Sequence, residues 1–275
     1  MITKIISCAD LHFPSLRKID ELKEVLSNFI EQCKDIVEKE GRDNVRIVVA
    51  GDIFENKITI TNESITAVDW FFKQLNEICK TIVVAGNHDL LVNNMDRLDS
   101  LSPLFEIGQY ENVVYLDKEL DYKSGTYVDD NIVWCLYSTF DNFASPNIDE
   151  MRETNKGKVF VGVIHADVNG ATTALNRVTE HGIDISFFDG VDFVIAGHIH
   201  KYQEIKGNNV SLVYCSSIRQ KEFGETVTGH GFVLWDVKKK KHEFVEVDNS
   251  NGGFYKFSIN GIEDLENDKE ELLNY

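Results

Sequence analysis

Five short clusters of metal-ligating residue types punctuate this chain: Asp10-Leu11-His12, Gly51-Asp52, Gly86-Asn87-His88-Asp89, a lone His165, and Gly197-His198-Ile199-His200. Side chains two apart project to the same side of an extended segment, so Asp10 with His12, and His198 with His200, can converge on an ion. Asp52 carries two carboxylate oxygens and can bridge two cations. Asn87 adds a neutral amide oxygen. His88 need not bind metal, because beside the others it would point towards the leaving oxygen of a substrate. Taken singly, each cluster has an ordinary explanation: turn chemistry for the Gly-Asp and Asn-His pairs, a buried structural histidine for His165. Together, in this order, they are what two cations clamped over a phosphate ester require. Mixed carboxylate, amide and imidazole donors suit Mn, Fe or Zn better than an all-oxygen Mg or Ca cage.

The elements that must present these clusters are legible in the hydrophobic pattern. Residues 2–8, 45–50 and 82–85 are apolar runs that predict strands, the second of them buried on both faces. Between them, 20–39 and 62–79 have helical period, the first with Leu22, Val25, Leu26, Phe29, Ile30 and Cys33 on one face, the second with Ile65, Val68, Phe72, Leu75 and Ile78. The second half is strand-rich, with candidates at 112–116, 131–138, 158–164, 191–196, 211–215, 230–237, 242–247 and 254–259. A helix at 171–181 and a turn near 148–155 interrupt them, and the Lys238–Lys241 run reads as a hairpin turn. All five clusters follow strands, and ligands in open α/β sheets lie beyond the carboxyl ends of strands. The pattern predicts an α/β fold of two packed mixed β-sheets flanked by helices.

Composition narrows the function classes. The 275 residues, 43% hydrophobic, suffice for one large domain with its own core. No apolar run approaches the roughly 20 residues of a membrane helix and no signal-peptide pattern opens the chain, which predicts a cytoplasmic protein without membrane contact. Five cysteines (Cys8, Cys33, Cys79, Cys135, Cys215) without paired spacing predict reduced, buried thiols. A net charge of -18 argues against tight autonomous binding to nucleic acid. It does not argue against a metal-dependent phosphoesterase, where bound cations reverse the local field. Part of that charge lies in residues 260–275, which carry six acids. His181 and His242 read as surface residues and His230 as a loop residue.

The order D-x-H, GD, GNHD, H, GH-x-H resembles the calcineurin-like metallophosphoesterase superfamily over residues 5 to 235. Gly51-Asp52-Ile53-Phe54 is similar to the GDLFD segment of SbcD-type DNA-repair nuclease subunits. His165-Ala166-Asp167-Val168-Asn169-Gly170 resembles their histidine motif, and Tyr214-Cys215-Ser216-Ser217-Ile218 with Phe223-Gly224-Glu225 their segment after the HxH. Phage recombination endonuclease subunits carry a similar version, so the resemblance extends to phage-encoded members.

The resemblance implies a dinuclear-metal-dependent DNA nuclease, exonuclease or endonuclease, of DNA repair or recombination, with Mn as the first choice of metal and Fe, Zn or Mg as others. By position, Asp10, His12, Asp52 and His200 would hold one ion and Asp52, Asn87, His165 and His198 the other. His88 would act on the leaving oxygen. Glu55 stands where the family has an aspartate that orients this histidine. The implied partners are DNA and an SbcC-like SMC-type ATPase, and a homodimer is compatible with it. The expected domain layout is a nuclease domain over 1–250 and, over 251–275, the start of a reduced or truncated capping region with an acidic tail. The alternatives are a calcineurin-like phosphodiesterase or phosphomonoesterase acting on nucleotides or phosphoproteins, and a scaffold that keeps the fold without catalysis.

Overall fold

The structure, a computed structural model, describes residues 1–249 and 253–254. The chain alternates β1 (Lys4–Cys8), α1 (Ile19–Glu40), β2 (Val45–Ala50), α2 (Asn62–Ile78) and β3 (Thr81–Val84), then α3 (Ser102–Ile107) and β4 (Val113–Tyr115). After the short α4 (Leu116–Glu119) come β5 (Gly125–Asp129), β6 (Ile132–Tyr137), α5 (Ile148–Thr154), β7 (Val159–His165) and β8 (Phe193–Gly197). The antiparallel pair β9 (Gln203–Lys206) and β10 (Ser211–Tyr214) follows, then the hairpin β11 (Gly231–Asp236) and β12 (Lys241–Glu246).

These strands form two six-stranded sheets, ordered β12-β11-β1-β2-β3-β4 and β5-β6-β7-β8-β10-β9. β1 to β4 are parallel, as are β6, β7, β8 and β10, so the carboxyl ends within each parallel set share one edge. β11 leaves the second half of the chain and pairs antiparallel with β1, closing the first sheet. The period of two along β2 decides its packing: Val45, Ile47 and Val49 face the helices, while Val48 and Ala50 face the other sheet. Val161 and Val163 of β7 meet them there, and Phe160 and Ile164 point to the outer face. Between the sheets Phe193 stacks on Trp235, ring centroids 4.3 Å apart. Such a stack contributes about 1 kcal/mol beyond the area it buries. The two-sheet architecture is as the sequence predicts, and the five cysteines are buried and free.

Several local expectations are corrected. Residues 171–181 are not helical. Thr172 bridges Val178, and the Gln203 side chain accepts from the Thr172 N–H (2.7 Å) and donates to its carbonyl (2.8 Å). The segment's β-branched Thr172, Thr173, Val178 and Thr179 are poor helix formers. Asn176 moreover takes a left-handed φ of 59°. The turn near 148–155 is the helix α5, with Asp149 and Glu150 in its first turn, where acids suit the helix dipole. Ile65 is 39% exposed instead of lining the core, and Phe71 is buried on α2 in its place. His242 is half-buried against Trp235, and His230, although in a loop, is only 2% exposed. The expected strand 254–259 and the 251–275 capping region lie outside the described residues, Gly253 and Phe254 aside.

A polar contact ties the sheets at the end away from the clusters. Arg46 of β2 donates through Nε and Nη2 to Asp129 of β5 at 2.8 and 3.1 Å, and Lys80 reaches the same carboxylate at 3.2 Å. Burial pushes this carboxyl up, but Arg46 and Lys80 outweigh it and hold it below the usual range. Removing one partner of a buried pair strands the other charge, whereas replacing both with apolar groups does not. Asp129→Ala is therefore expected to cost about 3 kcal/mol, read from the urea midpoint, and the double change Arg46→Met with Asp129→Leu to restore most of it.

Candidate metal centre

Asp10 and His12 follow β1, Asp52 follows β2, Asn87 and His88 follow β3, His165 ends β7, and His198 and His200 follow β8. The loops that carry them are laced to one another. Asp10 N–H donates to the Gly51 carbonyl and His12 N–H to that of Asp52, both at 3.0 Å. Across the two sheets, His165 Nδ1 donates to the Ala50 carbonyl at 2.8 Å. Glycines make this approach possible: a Cβ at Gly51 would overlap the His165 ring, and one at Gly197 would overlap the Ala50 carbonyl.

The local backbone differs from the extended geometry expected for Asp10-x-His12. Asp10, His12, Asp52 and His198 have φ of 55°, 46°, 53° and 96°. All four lie in the positive region that side chains with a Cβ disfavour. The side chains converge because the loop turns left-handed at each of them, not by strand alternation. Strain of this kind persists where surrounding structure over-determines it, and the laced loops do so here.

The convergence produces two ligand groups that share an edge. Asp10, His12 and His200 form one, Asp52, His165 and His198 the other, and a third set, His12, Asp52 and His88, spans the two; in each the donor atoms lie within 4.8 Å of one another. Asp52 Oδ2 lies 3.6 Å from His12 Nε2 and its Oδ1 3.2 Å from His165 Nε2, so its two oxygens face the two groups. Asn87 Oδ1 is 2.8 Å from His198 Nδ1, which joins it to the second group. The seven residues singled out as ligands in the sequence are therefore brought together around Asp52.

The donor atoms themselves test whether cations fit. His165 spends its Nδ1–H on Ala50, which leaves Nε2 a lone pair. Among the described residues that atom is buried without a hydrogen-bond partner, and it faces a carboxylate oxygen. His200 Nδ1 is bonded to Glu225 Oε1 at 2.6 Å, so its Nε2 is also a lone pair, 3.1 Å from His12 Nε2. His198 Nε2 meets Asp167 Oδ2 at 3.2 Å, which turns its Nδ1 lone pair onto the Asn87 oxygen. Without a cation, His12 Nε2 carries the proton that meets His200 Nε2, because the Lys221 ammonium donates to His12 Nδ1, and His165 Nε2 takes one up towards Asp52; a divalent cation in each group would take the place of those protons.

Without cations the charges compensate only in part. Burial pushes the Asp10 carboxyl up, opposed by His200 and His165. Burial also acts on Asp52, but the imidazoles of His165, His12 and His88 hold it well below the carboxylate range. Desolvation disfavours a charged His165, yet the Asp52 carboxylate outweighs it and lifts this histidine to about 9.

His88 sits where the two groups meet, its ring within ligand distance of His12 and Asp52. Its N–H donates to Asp52 Oδ1 at 2.7 Å, and its ring lies 4.9 Å from that of His12. Its Nδ1 donates to the main-chain carbonyl of Glu55 at 2.7 Å, leaving Nε2 free to face a substrate oxygen. The Glu55 carboxylate instead meets His12 Nδ1 at 3.5 Å and Lys221 at 3.2 Å. The hold on His88 is thus a backbone contact, which does not depend on the Glu-for-Asp difference at this position.

Three further carboxylates in this region have roles that the sequence pattern does not assign. Glu225 and Asp167 fix the two HxH imidazoles through opposite ring nitrogens, presenting His200 through Nε2 and His198 through Nδ1. Asp89, fully buried, accepts the N–H groups of Ile53, Phe54 and Gly86 at 3.0, 2.9 and 2.9 Å and so pins the loop after β2 to that after β3. Burial and then the nearby Asp52 charge push its carboxyl up to about 7. Asp167, two residues after His165, and Asp89, the last residue of GNHD, carry a positional signal in the sequence. Glu225 is the acid of the Phe223-Gly224-Glu225 segment singled out in the sequence, but the pattern there does not assign its role, for it lies 25 residues from the histidine it holds.

Comparison with known proteins agrees with this geometry. The calcineurin-like phosphoesterase family model matches residues 3–202, and the chain belongs to that family. It is 32% identical over 260 residues to an uncharacterized protein of Acanthamoeba polyphaga mimivirus, covering 91% of this chain and 18% of that protein. It is 24% identical over 265 residues to a subunit of the SbcCD nuclease of Staphylococcus saprophyticus, covering 86% of this chain and 66% of that relative. The chain thus spans less than two thirds of the length of either relative. Among solved structures, a dimetal phosphatase from Danio rerio superposes with a TM-score of 0.54 at 11% identity, over 85% of this chain and 92% of that one. That likeness is one of fold. Family and site together indicate a metal-dependent hydrolase of phosphate esters.

Calorimetric titration with Mn2+ is expected to resolve two sites per chain. Glu225→Gln should weaken one by roughly 10–100-fold, the usual cost of losing a carboxylate that orients a metal-binding histidine. His165→Ala should weaken the other. A Glu225→Gln protein that loses both sites equally, or neither, would contradict the division into two groups.

Proposed function

We propose that this chain is an SbcD-like nuclease that hydrolyses phosphodiester bonds of DNA with two divalent cations, Mn foremost. The observation that carries the reading is the placement of His88: a free Nε2 beside two complete ligand groups, in a chain with detectable identity to an SbcCD nuclease subunit. When bound, the cations would neutralise the phosphate and lower the pKa of a water for in-line attack. Asp10, His12, Asp52 and His200 would hold one, and Asp52, Asn87, His165 and His198 the other.

The chain's own residues supply the rest. Asp52 does two tasks, facing both ligand groups with its oxygens and fixing the backbone of His88 through its Oδ1. His88, which gives its Nδ1–H to the Glu55 carbonyl, would in its doubly protonated form also carry an Nε2–H and pass that proton to the leaving oxygen. Lys221, 3.2 Å from both His12 Nδ1 and Glu55 Oε2, brings a positive charge to the first ligand group. With a net charge of -18, the chain relies on a partner for most of its grip on DNA. An SbcC-like SMC-type ATPase fits that need. Among the described residues no helix is long and apolar enough to cross a membrane.

Purified protein with Mn2+ is expected to degrade linear duplex or single-stranded DNA. His88→Ala should keep its Mn2+ affinity and cleave about 100-fold or more slowly, as for loss of a general acid. Equal rates would remove His88 from the mechanism. DNA left intact while small nucleotides or phosphomonoesters are hydrolysed would favour a small-molecule phosphoesterase instead.

A further inference from the structure

A cavity of about 600 Å³ opens beside the second ligand group, with Asn87, His165 and His198 at one end and Thr139, Phe143 and Phe187 at the other. We propose that it is a nucleobase subsite, holding the base of the nucleotide whose phosphate sits on the metal centre. The inference rests on the nuclease reading above and names the part of the substrate that this side of the site recognises.

Three observations carry it. First, Thr139 Oγ1, on the cavity wall, and Tyr137 OH, behind Phe187, are buried and have no hydrogen-bond partner among the described residues. An unmade buried hydroxyl is unfavourable, and native structures keep few of them. Thr139 Oγ1 can both donate and accept, and a turn about its Cα–Cβ bond that brought it to the cavity would let it pair with the edge of any base. Second, Phe187 is 37% exposed, held at its back by Tyr137 and Phe188 with ring centroids 5.6 Å away in each case. An exposed, rigidly backed ring is a stacking platform for an unpaired base. Third, Asn142 and Phe143 have successive φ of 59° and 61°. Asparagine tolerates this region but phenylalanine does not, and such strain concentrates at ligand clamps. It sets the half-buried Phe143 ring in the cavity wall.

The charges fit a neutral, flat group. The lining holds no lysine or arginine to attract an anion, and its one carboxylate, Asp167, is engaged by His198. The phosphate therefore belongs on the metal centre and the base in the cavity. His88 does not line it, so the nucleoside it takes is the one that stays on phosphorus, not the half that leaves.

The test compares thymidine 5′-(p-nitrophenyl) phosphate and its 3′ isomer with bis(p-nitrophenyl) phosphate, all with Mn2+. In each nucleoside ester nitrophenolate leaves and the nucleoside remains on phosphorus. For the better nucleoside ester, the ratio of its kcat/KM to that of the small ester should fall about tenfold or more in Phe187→Ala, the scale of one base–aromatic stack. Thr139→Val should lower it about fivefold, the scale of one hydrogen bond. Ile107→Ala, exposed on α3 outside the cavity lining, serves as the control and should not change it. A second readout uses no metal and no turnover: in chelator, saturation-transfer NMR should show adenine protons of 2′-deoxyadenosine in contact with wild type and not with Phe187→Ala. An unmoved ratio, or no transfer to adenine in wild type, overturns the subsite even if DNA is cleaved. If both readouts hold while DNA stays intact, the subsite stands and the nuclease reading falls.

Discussion

Metal-ligating nitrogens and oxygens turned on one another dominate this molecule. His12 Nε2 faces His200 Nε2, His165 Nε2 faces Asp52, and His198 Nδ1 faces Asn87, at separations where a proton or a cation must intervene. Such an arrangement is repulsive by itself, and the surrounding structure holds it. The Ala50 carbonyl and the Glu225 and Asp167 carboxylates take up the other ring nitrogen of His165, His200 and His198, so none of these three can turn away to relieve the contact. A preformed site of this kind loses little ordering entropy on taking up metal.

The fold bears that repulsion by distributing it. Two sheets deliver the carboxyl ends of their parallel strands to one edge, and a continuous apolar core between them keeps those ends in register. At the opposite end, Arg46 and Asp129 fasten the sheets together. The left-handed residues Asp10, His12, Asp52 and His198 are tolerable only because their loops are bonded to one another and, through Asp89, to the loop after β3. Core packing, loop lacing and metal-ligand geometry are one mechanical system.

On the proposed reading, the site reconciles an acidic protein with action on a polyanion. The positive charge that meets the phosphate comes from bound cations, which outweigh the surface field at short range. Around them the chain contributes neutral donors, aromatic faces and one lysine in place of a basic patch. Under the proposal such a site would discriminate by shape and stacking more than by electrostatic attraction, which would suit a chain whose grip on nucleic acid came from a partner.

The sequence by itself determined the donors, because ligand chemistry depends on residue type and because each cluster had to follow a buried apolar run. It determined the layered architecture for the same reason: periods of two and 3.6 survive in a linear string. The helix expected at 171–181 failed where that signal was weakest, in a β-branched segment whose backbone is captured by Gln203, a residue in another element. Only the tertiary structure decided which nitrogen each histidine presents, since that follows from partners such as Glu225 that are distant in the chain. It alone showed the Glu55 backbone holding His88, and the walls of the cavity beside the second ligand group. These are properties of contacts between loops, and a one-dimensional pattern does not record which loops will meet.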